Sequence, residues 1–235
     1  MTNVNIEKLR DDLCLSYSRL SLFFRCPYLY NEKYILKTKN IEKPSPAMHV
    51  GINEHRLYEA FIKRNISYEK AKKQALSKKR LNAFIRWVKD EELTFTMMKS
   101  EKHFKVTLED FDVETLAILD VCVLLEDKAL AYVMDFKSGN FHADHFDQLE
   151  FYSYVIFKKY PVIETVKSYV FGMRDPYNRE KVFTREYDFA DLETKIRKLL
   201  AFYEKYDSCK DNLPRQENIS CWSCLLDCKH SKVRN

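Results

Sequence analysis

Asp120, Asp135 and Lys137 are the residues whose types and spacing suit chemistry on a phosphate ester. All three fall in the stretch Ala117 to Gly139, AILDVCVLLEDKALAYVMDFKSG. Two carboxylates held close together raise each other's pKa unless a cation sits between them. A divalent metal bound by one or two carboxylates, keeping several waters, resolves that conflict. Such a metal can bind a phosphoryl oxygen and lower the pKa of an attacking water. A lysine beside it would orient that water or neutralise charge developing in the transition state. Asp-x-Lys or Glu-x-Lys also occurs at Glu126-Lys128 and Glu193-Lys195, so the tripeptide alone carries little. What sets Asp135-Lys137 apart is its place at the exit of an apolar strand, with a partner acid across the ladder. The alternative is a solvated hairpin with incidental charges.

The surrounding stretch reads as two strands rich in Val, Ile, Leu and Tyr, broken only by Glu126-Asp127-Lys128. A two-residue turn at Asp127 and Lys128 sets Asp120 opposite Asp135, with Cβ atoms roughly 4.5–5.5 Å apart. Lys137, two residues on, points to the same face as Asp135. Asp-Lys lacks the glycine usual in such a turn, and a one-residue slip would separate the acids.

A second group with ligand chemistry lies in the tail ISCWSCLLDCKHSKVRN. There Cys221, Cys224 and Cys228 follow C-x₂-C-x₃-C spacing. Three thiolates need a fourth ligand to close a metal site or cluster. Candidates are His230, Cys209 and Cys26, and thiolates suit both zinc and iron–sulfur. Seven cysteines without secretory context suggest a reducing compartment and ligation rather than disulfides.

The elements that must carry these residues follow from pattern. The chain's 235 residues can bury a full core. They read as one domain, 1–235, with a basic helical arm at 63–98. No apolar run reaches the roughly 18 residues of a membrane span. The polar start, MTNVNIEKLRDD, is not a signal peptide. The expected setting is cytoplasmic. LSYSRLSLFFRCPYLYNEKYI suits a helix capped by Ser16 or Ser18, broken at Cys26-Pro27 and resumed. Its aromatics, Phe23, Phe24, Tyr28, Tyr30 and Tyr34, are expected in a core. A helix from about Ala47 to Lys63 places Gly51, His55 and Glu59 on one face. Glycine mid-helix costs about 1 kcal/mol against alanine, which close packing would explain. His55 on that face is a candidate for facing the metal.

Strands are expected at Ser100–Leu108, with Glu101 at its start, at Val166–Met173 and at Lys181–Tyr187. Helices are expected at His145–Lys159, with Gln148 and Tyr152 one turn apart, and at Ala190–Tyr206. Helices, a β-meander, then helix-strand-strand-helix make a mixed α/β sheet flanked by helices.

Residues 63–89 hold ten Lys or Arg and one acid, Glu69, a net +9 in a chain of +5. Tyr68, Phe84 and Trp87 are interleaved on what reads as two helices. A charge run is ordinarily a solvated face, but concentrating the whole positive excess here favours a polyanion. Lysines would neutralise phosphates, and an aromatic could stack on unpaired bases.

Taken together, these motifs resemble the RecB-like branch of the PD-(D/E)XK nuclease superfamily. The likeness is greatest to the iron–sulfur exonucleases typified by the CRISPR-associated adaptation nuclease and the nuclease domain of AddB. The resemblance runs from Ser16 to Cys228. It takes in SYSRLSLFFRCPYLY with Cys26, GINEH with Gly51 and His55, ILD with Asp120, and MDFKSG with Asp135, Lys137 and Gly139. QLEFY, with Gln148 and Tyr152, and the cysteine tail complete the series. Asp135 stands where the family often has Glu, and the last cysteine spacing is shorter than usual.

The resemblance implies a restriction-endonuclease-like mixed central sheet flanked by helices, with a helical insertion. It further implies that His55, Asp120 and Asp135 bind Mn²⁺ or Mg²⁺, with the Phe136 carbonyl as a further ligand. Lys137 would be the catalytic lysine, and Gln148 and Tyr152 would steady the DNA strand. Cys26, Cys221, Cys224 and Cys228 would hold a 4Fe–4S cluster that staples the N- and C-terminal regions. The implied activity is metal-dependent DNA hydrolysis, as an exonuclease on single strands or ends. A recombination, repair or CRISPR adaptation protein is a possible partner, and no membrane is involved. The rivals are a catalytically silent nucleic-acid-binding or assembly module with the same fold, and a structure-specific endonuclease.

Overall fold

A computed structural model describes residues 14–42, 46–75, 78–137, 145–174, 180–207, 215, 221, 224–226 and 228. Chain contacts divide into two compact units. One comprises 1–45, 107–116 and 197–235, the other 46–106 and 117–196.

In the first unit, Ser16 caps helix α1 (Tyr17–Arg25) by accepting from the Arg19 amide, as a serine N-cap does. The helix stops at Cys26 because Pro27 follows. Pro27 then opens a short helix α2 (Pro27–Tyr30), where its missing N–H costs nothing. A π-turn, Asn31–Ile35, continues the path. A two-residue strand β1 (Leu15–Ser16) pairs in parallel with Thr115 and Leu116. It is too short to leave a periodic signature and was not foreseen. Leu22, Phe23, Leu29, Tyr30, Ile35 and Ile41 form this unit's core with Cys26 and Cys224. Phe24, Tyr28 and Tyr34 pack around it, partly buried.

The second unit begins with three helices, α3 (Pro46–Ile62), α4 (Tyr68–Gln74) and α5 (Lys78–Asp90). Strands β2 (Met98–Leu108), β3 (Val113–Leu125) and β4 (Leu130–Phe136) follow, then helix α6 (His145–Lys159). Strands β5 (Thr165–Arg174) and β6 (Glu180–Tyr187) precede helix α7 (Phe189–Asp207); residues 107–108 of β2, 113–116 of β3 and 197–207 of α7 are counted with the first unit. Neighbours run β3-β4-β5-β6, with β2 also on β3. The β3–β4 and β5–β6 pairs are antiparallel and β4–β5 is parallel, so the sheet is mixed as expected. A parallel pair needs a crossover, and α6 supplies it.

Strand β4 is buried at every position from Ala131 to Phe136, which is why it reads as an almost unbroken apolar run. Gly172 stands at an irregularity between Phe171 and Met173, where the β5–β6 register shifts.

The hairpin keeps the expected register through a different turn. Val121 pairs with Met134 and Leu125 with Leu130. The connection is not Asp127-Lys128 alone but a 3₁₀ turn, Glu126–Lys128, closed by Ala129 in the left-handed region (φ 50°). Both loops share one centre, so lengthening it by a residue on each side leaves every cross-strand partner unchanged.

Two expectations for the basic stretch need correction. Phe84 and Trp87 are core residues, packed among Tyr132, Tyr169 and Phe171, and cannot stack on bases. Arg80 is 4 % exposed and bound to Glu54 of α3 at 2.8 Å, so it cannot meet a phosphate.

Candidate active site

Every residue expected at the metal site falls within the second unit, and hydrogen bonds link them. Asp120 projects from β3 beside the last paired rung. Its Oδ2 accepts the Phe136 amide at 2.7 Å, and its Oδ1 lies 3.0 Å from His55 Nδ1. His55 is on α3, and the stacking of Tyr58 on Phe136 (centroids 4.1 Å, planes 14° apart) holds that helix against β4. Glu59, expected on the same helix face, pairs with Lys63 instead.

Asp135 is 3 % exposed near the end of β4. Lys137 Nζ donates to its Oδ1 at 3.0 Å and lies 2.8 Å from its Oδ2. The Lys137 backbone is fixed too, because its amide donates to Phe171 O at 2.9 Å. From α6, Gln148 Oε1 accepts from Lys137 Nζ at 3.0 Å, while Gln148 Nε2 donates to Tyr152 OH at 2.7 Å. The i, i+4 spacing of Gln148 and Tyr152 puts them on one face of α6 and turns that face toward the acids. Phe136 contributes its backbone here, its side chain being buried in the core.

The electrostatics fit a cation-binding cluster. Burial raises the Asp135 carboxyl to about 6, opposed by the charge of Lys137 and reinforced by Asp120. Burial lowers the His55 imidazole, but its hydrogen bond to Asp120 and the charges of Asp120 and Asp135 outweigh that, leaving it above 6.5. Asp135 Oδ2 is buried without an aligned hydrogen-bond donor. A group so placed is costly unless a charge partner reaches it. Two carboxylates and an imidazole are ligands for a divalent cation, the oxygens suiting Mg²⁺ or Mn²⁺. Among the described residues no three His, Cys, Asp or Glu side chains yet close around a metal-sized point. Lys137 already supplies Asp135 Oδ2 with a charge partner at 2.8 Å, so it is the donor chemistry, two carboxylates and an imidazole, that fits the ion.

The four cysteines belong to the first unit, where Cys26, Cys221 and Cys228 lie near enough to Cys224 to act on its charge, though among the described residues no three close around a metal-sized point. Cys26, Cys221 and Cys224 are buried and Cys228 partly so, all as free thiols. Burial raises the Cys224 thiol, and the charges of Cys221, Cys26 and Cys228 raise it further against a hydrogen bond from the Leu226 backbone. The tail reaches Cys26 because Cys224 forms an antiparallel bridge with Glu42 and Leu225 N donates to Ile41 O at 2.7 Å. Cys26 Sγ in turn accepts from the Leu29 amide at 3.5 Å. The donor set fits a thiolate-loving metal or cluster. Cys209, His230 and Gly139 lie outside the described residues.

Two polar features escaped the sequence reading. Glu54, next to His55, is buried against Arg80. Glu91 takes hydrogen bonds from Tyr132 OH at 2.7 Å and Tyr169 OH at 3.0 Å. Only the alternation of charged with apolar residues on α3 and α5 hinted at the first.

Residues 14–228 match the family model of the PD-(D/E)XK nuclease superfamily. The chain belongs to that superfamily. The fold is also similar to the crystal structure of an exonuclease candidate from Eubacterium rectale (TM-score 0.58, 14 % identity). That likeness covers 100 % of this chain and 94 % of the other. No curated protein matches the sequence. No described helix is long and apolar enough to cross a membrane.

Proposed function

We propose that this PD-(D/E)XK nuclease is a Mn²⁺- or Mg²⁺-dependent deoxyribonuclease of the RecB-like, iron–sulfur type. Its expected action is hydrolysis of phosphodiesters as an exonuclease on single-stranded DNA or DNA ends. The observation that carries the reading is the continuous chain of contacts from His55 through Asp120 to the Phe136 amide, beside Asp135, Lys137, Gln148 and Tyr152.

In this reading His55, Asp120, Asp135 and the Phe136 carbonyl hold the ion. The ion supplies a Lewis acid and a lowered pKa for water. The chain's own residues do the rest. Lys137, with its backbone pinned to β5, keeps an ammonium where negative charge grows on the phosphate oxygens. Gln148 and Tyr152 form a relay that orients Lys137 and steadies the strand. Exposed lysines of α4 and α5 attract the DNA backbone. Cys26, Cys221, Cys224 and Cys228 hold a 4Fe–4S cluster, with zinc the alternative, as a staple rather than a reactant.

The test is digestion of end-labelled linear and circular single-stranded DNA with Mn²⁺, Mg²⁺ or EDTA. Loss of the linear substrate alone, blocked by EDTA, is expected. Cutting of the circle would make the protein an endonuclease. DNA binding without cleavage under any metal would make it a silent module.

A further inference from the structure

A cleft of about 680 Å³ opens between α3, α4 and α5, within the range of small-ligand pockets. Tyr68 and Phe95, both partly buried, form its aromatic wall over the buried Phe61, and Asn82, Arg86 and Lys89 line it from α5. Phe61 and Phe95 meet edge to face, centroids 5.2 Å apart. Tyr68 is half-buried and donates through its hydroxyl to Asn82 Oδ1 at 2.8 Å. With that oxygen engaged, what Asn82 offers a ligand is the donor side of its amide. Lys72 Nζ lies 5.4 Å from the centre of the Tyr68 ring.

We infer that this cleft is a nucleobase subsite, taking one unpaired base of a single DNA strand whose phosphates run across Arg86 and Lys89. The inference rests on the nuclease reading and deepens it, since it specifies a single-stranded substrate. Three features select this occupant. Aromatic walls accept the π-face of any base, whereas a purely lipidic ligand would have no use for the amide and two cations at the rim. Arg86 and Lys89 are exposed, and among the described residues neither is matched by an acid, unlike Arg80, which Glu54 neutralises. The cleft is also within reach of the site. Phe61 lies on α3 with His55, six residues farther along, which is about 9 Å of helix rise and about 120° round the helix, so the strand would curve round α3 to reach it. At roughly 3.4 Å per stacked nucleotide, one strand held at His55 would present a base to the cleft a few nucleotides away.

The cleft therefore reads the strand by its unpaired state rather than by sequence. A paired base keeps its faces covered by its neighbours, while an unstacked one can enter. A duplex would then have to fray before its strand could be seated.

The experiment uses the full chain in EDTA, where cleavage cannot interfere. Fluorescence anisotropy measures affinity for a short labelled oligodeoxythymidylate and for a set with a single abasic position moved along it. One or two adjacent positions should lose about 5- to 150-fold in affinity, and the rest little. Tyr68→Leu and Asn82→Ala, each checked for an unchanged melting curve, should flatten that profile. Arg86→Gln should weaken all probes alike. A flat profile in the wild-type protein overturns the subsite, as does a peak that neither cleft variant alters. Cleavage with a flat profile would leave the nuclease reading standing without the subsite. A cleft-dependent peak without cleavage in any metal would do the reverse.

Discussion

Asp120 accepts the backbone amide of Phe136 at 2.7 Å, so a side chain continues the hairpin beyond its last paired rung. That contact fixes one carboxylate oxygen and leaves the other to His55. Structure and chemistry can be separated by two substitutions. Asp120→Asn keeps an acceptor for Phe136 and should melt near the wild type, whereas Asp120→Ala orphans that amide and should cost about 1–3 kcal/mol. Both should lose cleavage by about 10²-fold or more, as should Lys137→Ala, with DNA affinity in EDTA largely retained. Undiminished turnover in these purified variants would remove the residues from catalysis.

The positive charges of the α4–α5 segment should divide into two classes. Replacing Lys72, Lys73, Lys78 and Lys79 with Gln should weaken DNA binding and lower the log–log salt slope by roughly 0.7 per lost phosphate contact. Arg80→Ala should instead break the buried ion pair with Glu54 and destabilise the fold by about 3–5 kcal/mol. Salt-titrated binding isotherms and urea unfolding tell them apart. An unchanged slope in the quadruple variant would return those lysines to a solvated surface.

Cys224→Ser should give a poorly soluble or heat-labile protein, because that thiol sits beside Cys26 in a core as well as in the proposed cluster. Protein purified anaerobically should be brown and contain about four irons per chain. Colourless protein with one zinc and no iron would replace the cluster with a zinc site. Metal analysis alongside thermal melting gives the answer.

Lys195 on α7 bonds Glu150 and, at 3.1 Å, Asp147 of α6, the helix that carries Gln148. Burial lowers its pKa, but those hydrogen bonds and charges raise it above 10.5 overall. A base raised on folding stabilises fully below its unfolded pKa, and the benefit is lost as pH climbs through the folded value. Lys195→Gln should therefore be less stable than wild type at neutral pH, by a small amount because the side chain is half-exposed. The gap should shrink above pH 10.5. A pH-independent gap in urea titrations would assign the loss to packing.

How much of this was legible depended on how local each signal was. Helix α6 keeps the bounds read from its sequence because its apolar period and acidic start lie within fifteen residues. The Asp120–Asp135 relation was legible because the apolar strands fix the register, although Ala129 gave no sign that it would turn left-handed. Phe84 and Trp87 were misjudged by counting charge along a window. Leu81, Phe84 and Val88 repeat at i, i+3 and i+7, which already marks a buried face. Arg80 and Glu54 lie 26 residues apart on different helices, and no local pattern announces such a pair.

The parallel pairing of β4 with β5 also bears on when the site comes into being during folding. The β3–β4 hairpin is a local structure of a kind that forms in about 1–10 μs. Leu130 and Thr165 are 35 positions apart, and a parallel pair spanning that distance must wait for the intervening chain to be ordered. Lys137 has its amide seated on Phe171 only after that step. The two acids are thus brought onto neighbouring strands early, and their lysine is fixed in place late. A chain released partway through folding would present a carboxylate pair with no catalytic competence, and activity should return more slowly than strand signal on refolding.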